Sequence, residues 1–330
     1  MNFSDRIKEE LLGFDYDKEN VIRAFILGAV KAVGLLEIKK TGESLLLSSG
    51  RYEYVIKVAD YLKKLYRTEI NVSRKGQAND KKGFTYELSL PKNVTKQLLI
   101  DLEIANYDGD DLVSFNSGFS EKLYKDEDAL KALVRALFIG CGNAYVPSKI
   151  DVDGDELTAK SEGYRLELVF EEEELASNVC ELLKILSNKI KVIERQINYV
   201  VYTKDSSLVC DILAWLGANN SVLELNDIIV ERTVSNEINR KNNCSIANID
   251  KVVNAGLKQI KAIEYLQQTI GLDKLNDGLR EIALLRISKP SASLVELEEA
   301  LDHRITKSGI NHRLRKLVEM ADKLRGEGEN

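Results

Sequence analysis

The stretch Ser293-LVELEEALDHRITKSGINHRLRKLVEMADKL-Arg325 decides how the C-terminal part of this chain folds. Ser293 and Glu296 stand at the S-x-x-E spacing of a capping box, so a helix begins there. Leu294, Leu297 and Leu301 follow at helical intervals. Asp302-His303-Arg304 interrupts the pattern, and Thr306 supplies the cap of a second helix. Along that helix Ile310, Leu314, Leu317, Val318 and Ala321 form one apolar stripe.

At about 100° per residue, Ser308, His312 and Arg315 project from the opposite face, flanked by Asn311 and Lys316. Between His303 and Lys316 stand Arg304, Lys307, Arg313, Arg315 and Lys316, and no acid. Two short helices with a tight turn, the second cationic in its N-terminal half, describe a helix-turn-helix whose second helix enters a major groove. Acids return at Glu319 and Asp322, where such a helix would leave the phosphates. A solvated helical hairpin also explains a run of cations, but not its coincidence with the caps, the turn and the missing acids. The expected DNA-binding set is Arg304, Lys307, Ser308, Asn311, His312, Arg313, Arg315 and Lys316.

Working outward, 330 residues permit two or three domains. Hydrophobic content of 44% and charged content of 30% are those of a soluble globular protein. The net charge of −6 carries no general nucleic-acid signal, so any DNA contact must be local. The opening MNFSDRIKEELLGFD has neither a signal peptide's apolar core nor a membrane-spanning run. Cys141, Cys180, Cys210 and Cys244 are widely spaced, which fits reduced thiols in cytosol rather than zinc or disulfides. The two histidines, His303 and His312, both lie in the helix-turn-helix, which excludes a histidine-rich metal site or a Ser-His-Asp triad elsewhere.

The rest of the chain falls into a repeating order. Phe3 to Leu12 is a short amphipathic helix. Asn20 to Val33 is an apolar, small-residue helix ended by Gly34, with strands at Leu35–Lys39 and Ser44–Ser48. A helix from Arg51 to Tyr66, strands at Glu69–Arg74 and Phe84–Leu90, and a helix from Lys92 to Ile104 follow. The order returns with a helix at Asp128–Cys141, a strand at Tyr164–Phe170 and a helix at Glu173–Ser187. Strands at Val192–Arg195 and Tyr199–Thr203 and a helix at Asp205–Leu216 close the second copy. Two αββαββα units argue an internal duplication. Asn219 to Gln268 reads as long helices rich in Asn and basic residues, and Leu279 to Ile287 as the first helix of the C-terminal domain, ended before Pro290.

The stretches Ala24-FILGAVKAVGLLEI and Val134-RALFIGCGNAYVPSK resemble the two signature helices of a LAGLIDADG homing endonuclease domain. Thr306-KSGINHRLRKL and Asn236-EINRKNNCSIANIDKVVNA are similar to segments of the WhiA family of bacterial regulators, and the resemblance covers nearly the whole chain. It implies an α+β protein: residues 1–19 as an N-terminal arm, and two LAGLIDADG-type repeats (20–104 and 128–217) forming one pseudo-twofold domain. Linker helices (218–275) and an all-α helix-turn-helix domain (276–330) would follow. The segment Ser148-KIDVDGDELTAKSEG looks longer than the family's hairpin there. Its D-V-D-G-D misplaces glycine for a calcium loop, and a polar hairpin turn is the better reading.

In LAGLIDADG nucleases the last acid of each signature helix holds a divalent metal. Overlaying the motif puts Gly34 and Cys141 at those positions, and neither is a hard oxygen ligand. Glu37 is the nearest acid in the first repeat, and the second offers no match. Gly28, Ala29, Ala32 and Ala136 suit a close helix pair. By count, residues 20–104 carry roughly +6 and the following stretch to Gly217 roughly −9. Lys39, Lys40, Arg74, Lys75, Lys81 and Lys82 could therefore grip phosphates as an accessory surface, or form a solvated rim. The acidic half, with Glu171–Glu174, would repel DNA. Between Arg232 and Asn254, asparagines buried at interdomain helix contacts are favoured over direct DNA contact, which would include Arg240.

These readings converge on a sequence-specific regulator without enzymatic activity that binds double-stranded DNA, in the cytoplasm at the nucleoid. The resemblance associates it with transcription control, cell division, chromosome segregation or sporulation, and with possible protein partners among transcription or division factors. No metal, cofactor or membrane association is expected, and oligomeric state is left open. The alternatives are a division scaffold with secondary DNA contact, or a LAGLIDADG nuclease with relocated acids.

Overall fold

The computed structural model describes residues 1–39, 42–76, 84–109, 111–147 and 163–327. The chain divides into two compact units, Met1–Arg232 and Thr233–Asn330.

The first unit is built on a helix pair. α2 (Glu19–Val33) and α5 (Glu127–Cys141) are each fifteen residues long, and Glu19 and Val33 recur as Glu127 and Cys141 at a constant offset of 108. Their contact is made by small side chains. A Cβ on Gly28 would meet the Leu133 carbonyl oxygen at 2.4 Å, and one on Gly140 would meet the Cβ of Ala32 at 2.6 Å. Gly28 meets Ala136 and Ala32 meets Gly140, and in each case the two residues occupy equivalent positions of the two helices, so each contact joins a residue to its own counterpart, as at a pseudo-twofold axis. Tyr54, which is fully buried, donates its hydroxyl to the Ala136 carbonyl at 2.7 Å across this pair.

Each helix of the pair feeds a four-stranded antiparallel sheet. The first contains β1 (Gly34–Lys39), β2 (Gly42–Ser49), β3 (Val72–Lys75) and β4 (Thr85–Ser89) in the order β1-β2-β4-β3. The second contains β7 (Gly142–Tyr145), β8 (Arg165–Phe170), β9 (Lys191–Arg195) and β10 (Asn198–Thr203) in the equivalent order β7-β8-β10-β9. Alternation buries Leu45 and Leu47 of β2 and Leu166, Leu168 and Phe170 of β8. α3 (Tyr52–Tyr66) and α4 (Lys92–Asp101) complete the first repeat, α6 (Glu173–Leu183) and α7 (Ser206–Leu216) the second. Both repeats thus realise the expected αββαββα order.

Two features depart from the sequence reading, and one expectation falls on residues that are not described. Strand β7 was not expected, because GNAY carries neither alternation nor β-branched residues. The segment expected to be a polar hairpin turn, Ser148 to Glu162, lies outside the described residues. α4 stops at Asp101 rather than Ile104, with Glu103 in the left-handed region (φ 55°) and the Ile104 N–H on the Leu99 carbonyl at 2.8 Å. The chain then forms a hairpin, β5 (Ala105–Asp108) with β6 (Asp111–Phe115), which has no counterpart among the described residues of the second repeat.

α1 (Phe3–Leu12) packs on α5 and β7. It also caps α8 (Asn219–Thr269): the Glu10 carboxylate accepts from the backbone N–H of Asn220 at 2.9 Å and of Ser221 at 2.8 Å. That satisfies donors which an exposed helix start would leave to water. The region read as several linker helices is this one helix. Leu225 and Ile228 are buried near its start, while Ala262, Ile263 and Leu266 join the core of the second unit.

The second unit adds α9 (Asp277–Ser288), α10 (Leu294–Glu299) and α11 (Lys307–Glu327). The expected capping box is formed: Ser293 Oγ accepts from the Glu296 N–H at 3.2 Å, and the Glu296 carboxylate accepts from the Ser293 N–H at 2.6 Å. The break falls where it was read, with Asp302 (φ 50°) and His303 (φ 56°) both left-handed. Asp and His tolerate that region better than bulkier side chains. Thr306 Oγ1 then accepts from the Gly309 N–H at 3.3 Å at the head of α11. Ile310, Leu314, Leu317 and Ala321 are fully buried, and Val318 packs at their edge.

Candidate nucleic-acid interface

Burying one stripe of α11 fixes what the other presents. Lys307, Ser308, Asn311, His312, Arg315 and Lys316 are all exposed. Among the described residues none of the six enters a hydrogen bond or ion pair with the protein. Lys307, in the first turn, is placed against the helix itself. The first turn of α11 has no acid, whereas α9 and α10 carry Asp277 and Glu296 in theirs. A cation near a helix N-terminus opposes the macrodipole by about 0.3–1 kcal/mol. Such an arrangement costs stability unless an anion is supplied from outside.

Arg304 and Arg313 behave differently. The Arg304 guanidinium pairs with Glu281 of α9 at 3.1 Å and donates to the Leu301 carbonyl at 3.2 Å. Arg313 turns to the start of α9 and donates to the Gly278 carbonyl at 3.3 Å. Both therefore brace the helices, contacts within the protein that the sequence reading of these two residues did not include, because packing against α9 could not be seen. A further bracing residue went unnoticed: Arg286 is 3% exposed and donates to the Ala292 carbonyl at 2.6 Å, closing the α9–α10 turn. Nothing in its sequence surroundings singles it out.

The accessory cations divide as well. The side chain of Lys39 and the whole of Lys40, Lys81 and Lys82 lie outside the described residues. Arg74 stacks on Phe84, its guanidinium carbon 3.3 Å from the ring centre, and Lys75 pairs with Glu87 at 2.5 Å. Arg240 is exposed on α8, and so are Asn236, Asn239, Asn243 and Asn248, which removes the expected burial of these asparagines at helix contacts. The acidic character of the second repeat also does not extend to its whole surface. On the side of the second sheet away from the core, Arg165 and Arg195 flank Glu167, at 3.1 and 3.2 Å from its carboxylate. Lys191 lies on the same side, opposite Tyr202. The repeat's net charge concealed this because Glu171–Glu174 lie around the start of α6 instead.

At the other candidate centre, the ends of the helix pair, the register corrects the overlay by one residue. Val33 and Cys141 are the last residues of α2 and α5. Gly34 and Gly142 are the equivalent caps, donating to the Val30 and Phe138 carbonyls. The position assigned to Gly34 therefore belongs to Val33, which also offers no oxygen. Desolvation pushes the Cys141 thiol up to about 12, and it donates to the Leu137 carbonyl at 3.2 Å. Glu37 stands opposite Ser44 on β1, and its equivalent in β7 is Tyr145. Among the described residues no pair of carboxylates crowns the two helices.

Two sheets set about a small-residue helix pair, followed by a capped helix-turn-helix, define a protein with a LAGLIDADG-like domain and a C-terminal helix-turn-helix domain. Family models agree, the WhiA LAGLIDADG-like domain matching residues 154–235 and the WhiA C-terminal HTH domain residues 238–321. The probable cell division protein WhiA of Clostridium acetobutylicum is 33% identical over 330 residues, covering 99% of this chain and 100% of that protein. That of Clostridium beijerinckii is 34% identical over 327 residues, covering 98% and 99%. This chain belongs to the WhiA family. The crystal structure of full-length DUF199/WhiA from Thermotoga maritima shares its fold, with 24% identity, a TM-score of 0.53 and coverage of 98% of this chain and 99% of that one.

Proposed function

We propose that this protein is a non-enzymatic, sequence-specific regulator that binds double-stranded DNA through α11 and serves cell division. The observation that carries the reading is the set of six exposed polar side chains on α11, unengaged among the described residues, with Lys307 placed against the helix dipole. Arg315, Ser308 and His312 lie on the outward stripe and read base edges; Lys307 and Lys316 flank it and take phosphates. Asn311 sits between the two groups. The relatives named for cell division supply the process, and transcription is the route by which a helix-turn-helix acts on it. Chromosome segregation and sporulation are further processes such a regulator would serve, from the cytoplasm at the nucleoid. The absence of an acid at Val33 and Cys141 supports a LAGLIDADG-like domain that does not cut DNA.

The test is selection of duplexes from a random pool by the full-length protein. Enrichment of one short sequence, lost when Arg315 is replaced by alanine, is expected. Failure to retain any duplex at low salt would overturn the proposal.

A further inference from the structure

A cleft of about 450 Å³ opens between the loop at residues 14–18 and the first turns of α5, lined by Phe14, Tyr16, Val21, Lys131 and Arg135 among others. Its charges are matched, with one exception. Asp15 pairs with Lys57 at 2.6 Å, Asp17 with Lys64 at 3.3 Å, Asp128 with Lys18 at 3.0 Å, and Lys131 with Glu127 at 2.7 Å. Arg135 has no carboxylate within ion-pair distance among the described residues, and yet it is only 8% exposed. Its partners are neutral: Nε donates to the Leu216 carbonyl at 2.7 Å and Nη1 to the Tyr16 hydroxyl at 3.1 Å, while Phe14 stacks 3.6 Å from the guanidinium carbon.

A buried charge without a directly paired counter-charge is costly, and Asp128, already paired with Lys18, acts on Arg135 only at longer range. Leu216 is the last residue of α7, so its carbonyl brings part of the helix's negative end to Arg135, but that amounts to about half a charge. Of the five guanidinium N–H groups, two are used, which leaves donors for a carboxylate fork. Phe14, Tyr16 and Val21 add an apolar wall. The paired acids on the rim disfavour a second negative charge, since it would face Asp15, Asp17 and Asp128 without compensation.

We propose that this cleft is a binding site for a small organic monocarboxylate, its carboxylate held by Arg135 and its apolar body lying against Phe14, Tyr16 and Val21.

The full-length protein would be titrated with 4-fluorobenzoate, with 4-fluorobenzylamine as the cationic control, each followed by its fluorine NMR line. Saturable binding of the benzoate alone is expected. Inorganic phosphate at equal concentration should not displace it. Affinity should fall at least about tenfold in Arg135→Gln, which removes a charged hydrogen-bonding group, and about threefold in Lys18→Glu, which adds a negative charge at the rim. Absence of saturable benzoate binding, equal binding of the amine, displacement by phosphate, or unchanged affinity in a folded Arg135→Gln would each overturn the proposal. If Arg135→Gln fails to fold, Lys18→Glu decides, because the Lys18 side chain is 70% exposed, and an unchanged affinity there counts against the site.

Discussion

Gly28 of α2 meets Ala136 of α5 so closely that a Cβ on the glycine would stand 2.9 Å from the alanine Cβ. The nearest obstacle is backbone, the Leu133 carbonyl oxygen at 2.4 Å, which no rotamer change relieves. Gly28→Leu or Ala136→Leu should therefore overpack the helix pair and cost roughly 1–3 kcal/mol. Thermal unfolding of the full chain measures this. Unchanged melting temperatures in both variants would show that small residues do not set the approach of α2 and α5.

What could be read in advance follows a physical division. The capping box at Ser293, the break at Asp302 and the stripe from Ile310 to Ala321 are local patterns, and local patterns specify helices. The duplication was legible because two small-residue helices recur in the same setting. Hidden features depend on contacts distant in sequence or on atypical residues. Glu103 ends α4 in a left-handed conformation more usual for glycine. Arg304 and Arg313 look like their free neighbours until α9 is placed beside them. Arg135 became notable only when it proved to be buried with no carboxylate within ion-pair distance among the described residues.

The ends of the helix pair carry Val33 and Cys141, so supercoiled and linear DNA should both remain intact with magnesium or manganese. Agarose electrophoresis over hours checks this. Metal-dependent cleavage that co-purifies with the protein and disappears in Glu37→Gln would place a working centre on β1 and refute the inert reading.

The thiols should differ in reactivity. Burial raises the Cys141 pKa to about 12, so its folded state favours the neutral thiol, and the thiolate that alkylates is scarce at pH 8. Cys244 is exposed on α8. Iodoacetamide treatment of the native protein, read by peptide mass spectrometry, should modify Cys244 well before Cys141. The sign for stability follows: the folded pKa lies above the ordinary value near 9, so this thiol's contribution is present below pH 9 and is lost as the pH rises toward 12. Cys141 is only half-buried by exposed surface, so the prediction rests on its raised pKa and its hydrogen bond to Leu137, and alkylation of Cys141 as fast as Cys244 would contradict both.

Arg304 and Arg313 should report on folding of the C-terminal unit rather than on the salt dependence of DNA binding. Arg304→Ala removes the partly exposed pair with Glu281 and should cost about 0.2–1 kcal/mol. Arg313→Ala removes a charged hydrogen bond to Gly278 at the edge of the core and should cost about 1–3 kcal/mol. Chemical unfolding measures both. A drop in salt slope with no loss of stability would return them to the phosphate-contacting group.

The exposed residues of α11 should separate by function. Lys307→Ala and Lys316→Ala remove cations that flank the outward stripe, so each should weaken binding to all duplexes and lower the salt slope by about one unit. Arg315 lies on the stripe, where its planar fork can meet guanine, and Arg315→Ala should cost about 1–3 kcal/mol mainly at the selected sequence. Among the described residues none of the three side chains is engaged, so their removal should leave the unfolding midpoint in place, and gain or loss of binding then reads the interface alone. Fluorescence anisotropy on selected and random duplexes across a salt series distinguishes the groups. If Arg315→Ala and Lys307→Ala changed neither affinity nor salt slope, α11 would not be the reader. The exposed Asn and Arg face of α8 around Arg240 would then be the surface to test next, because packing leaves it uncovered.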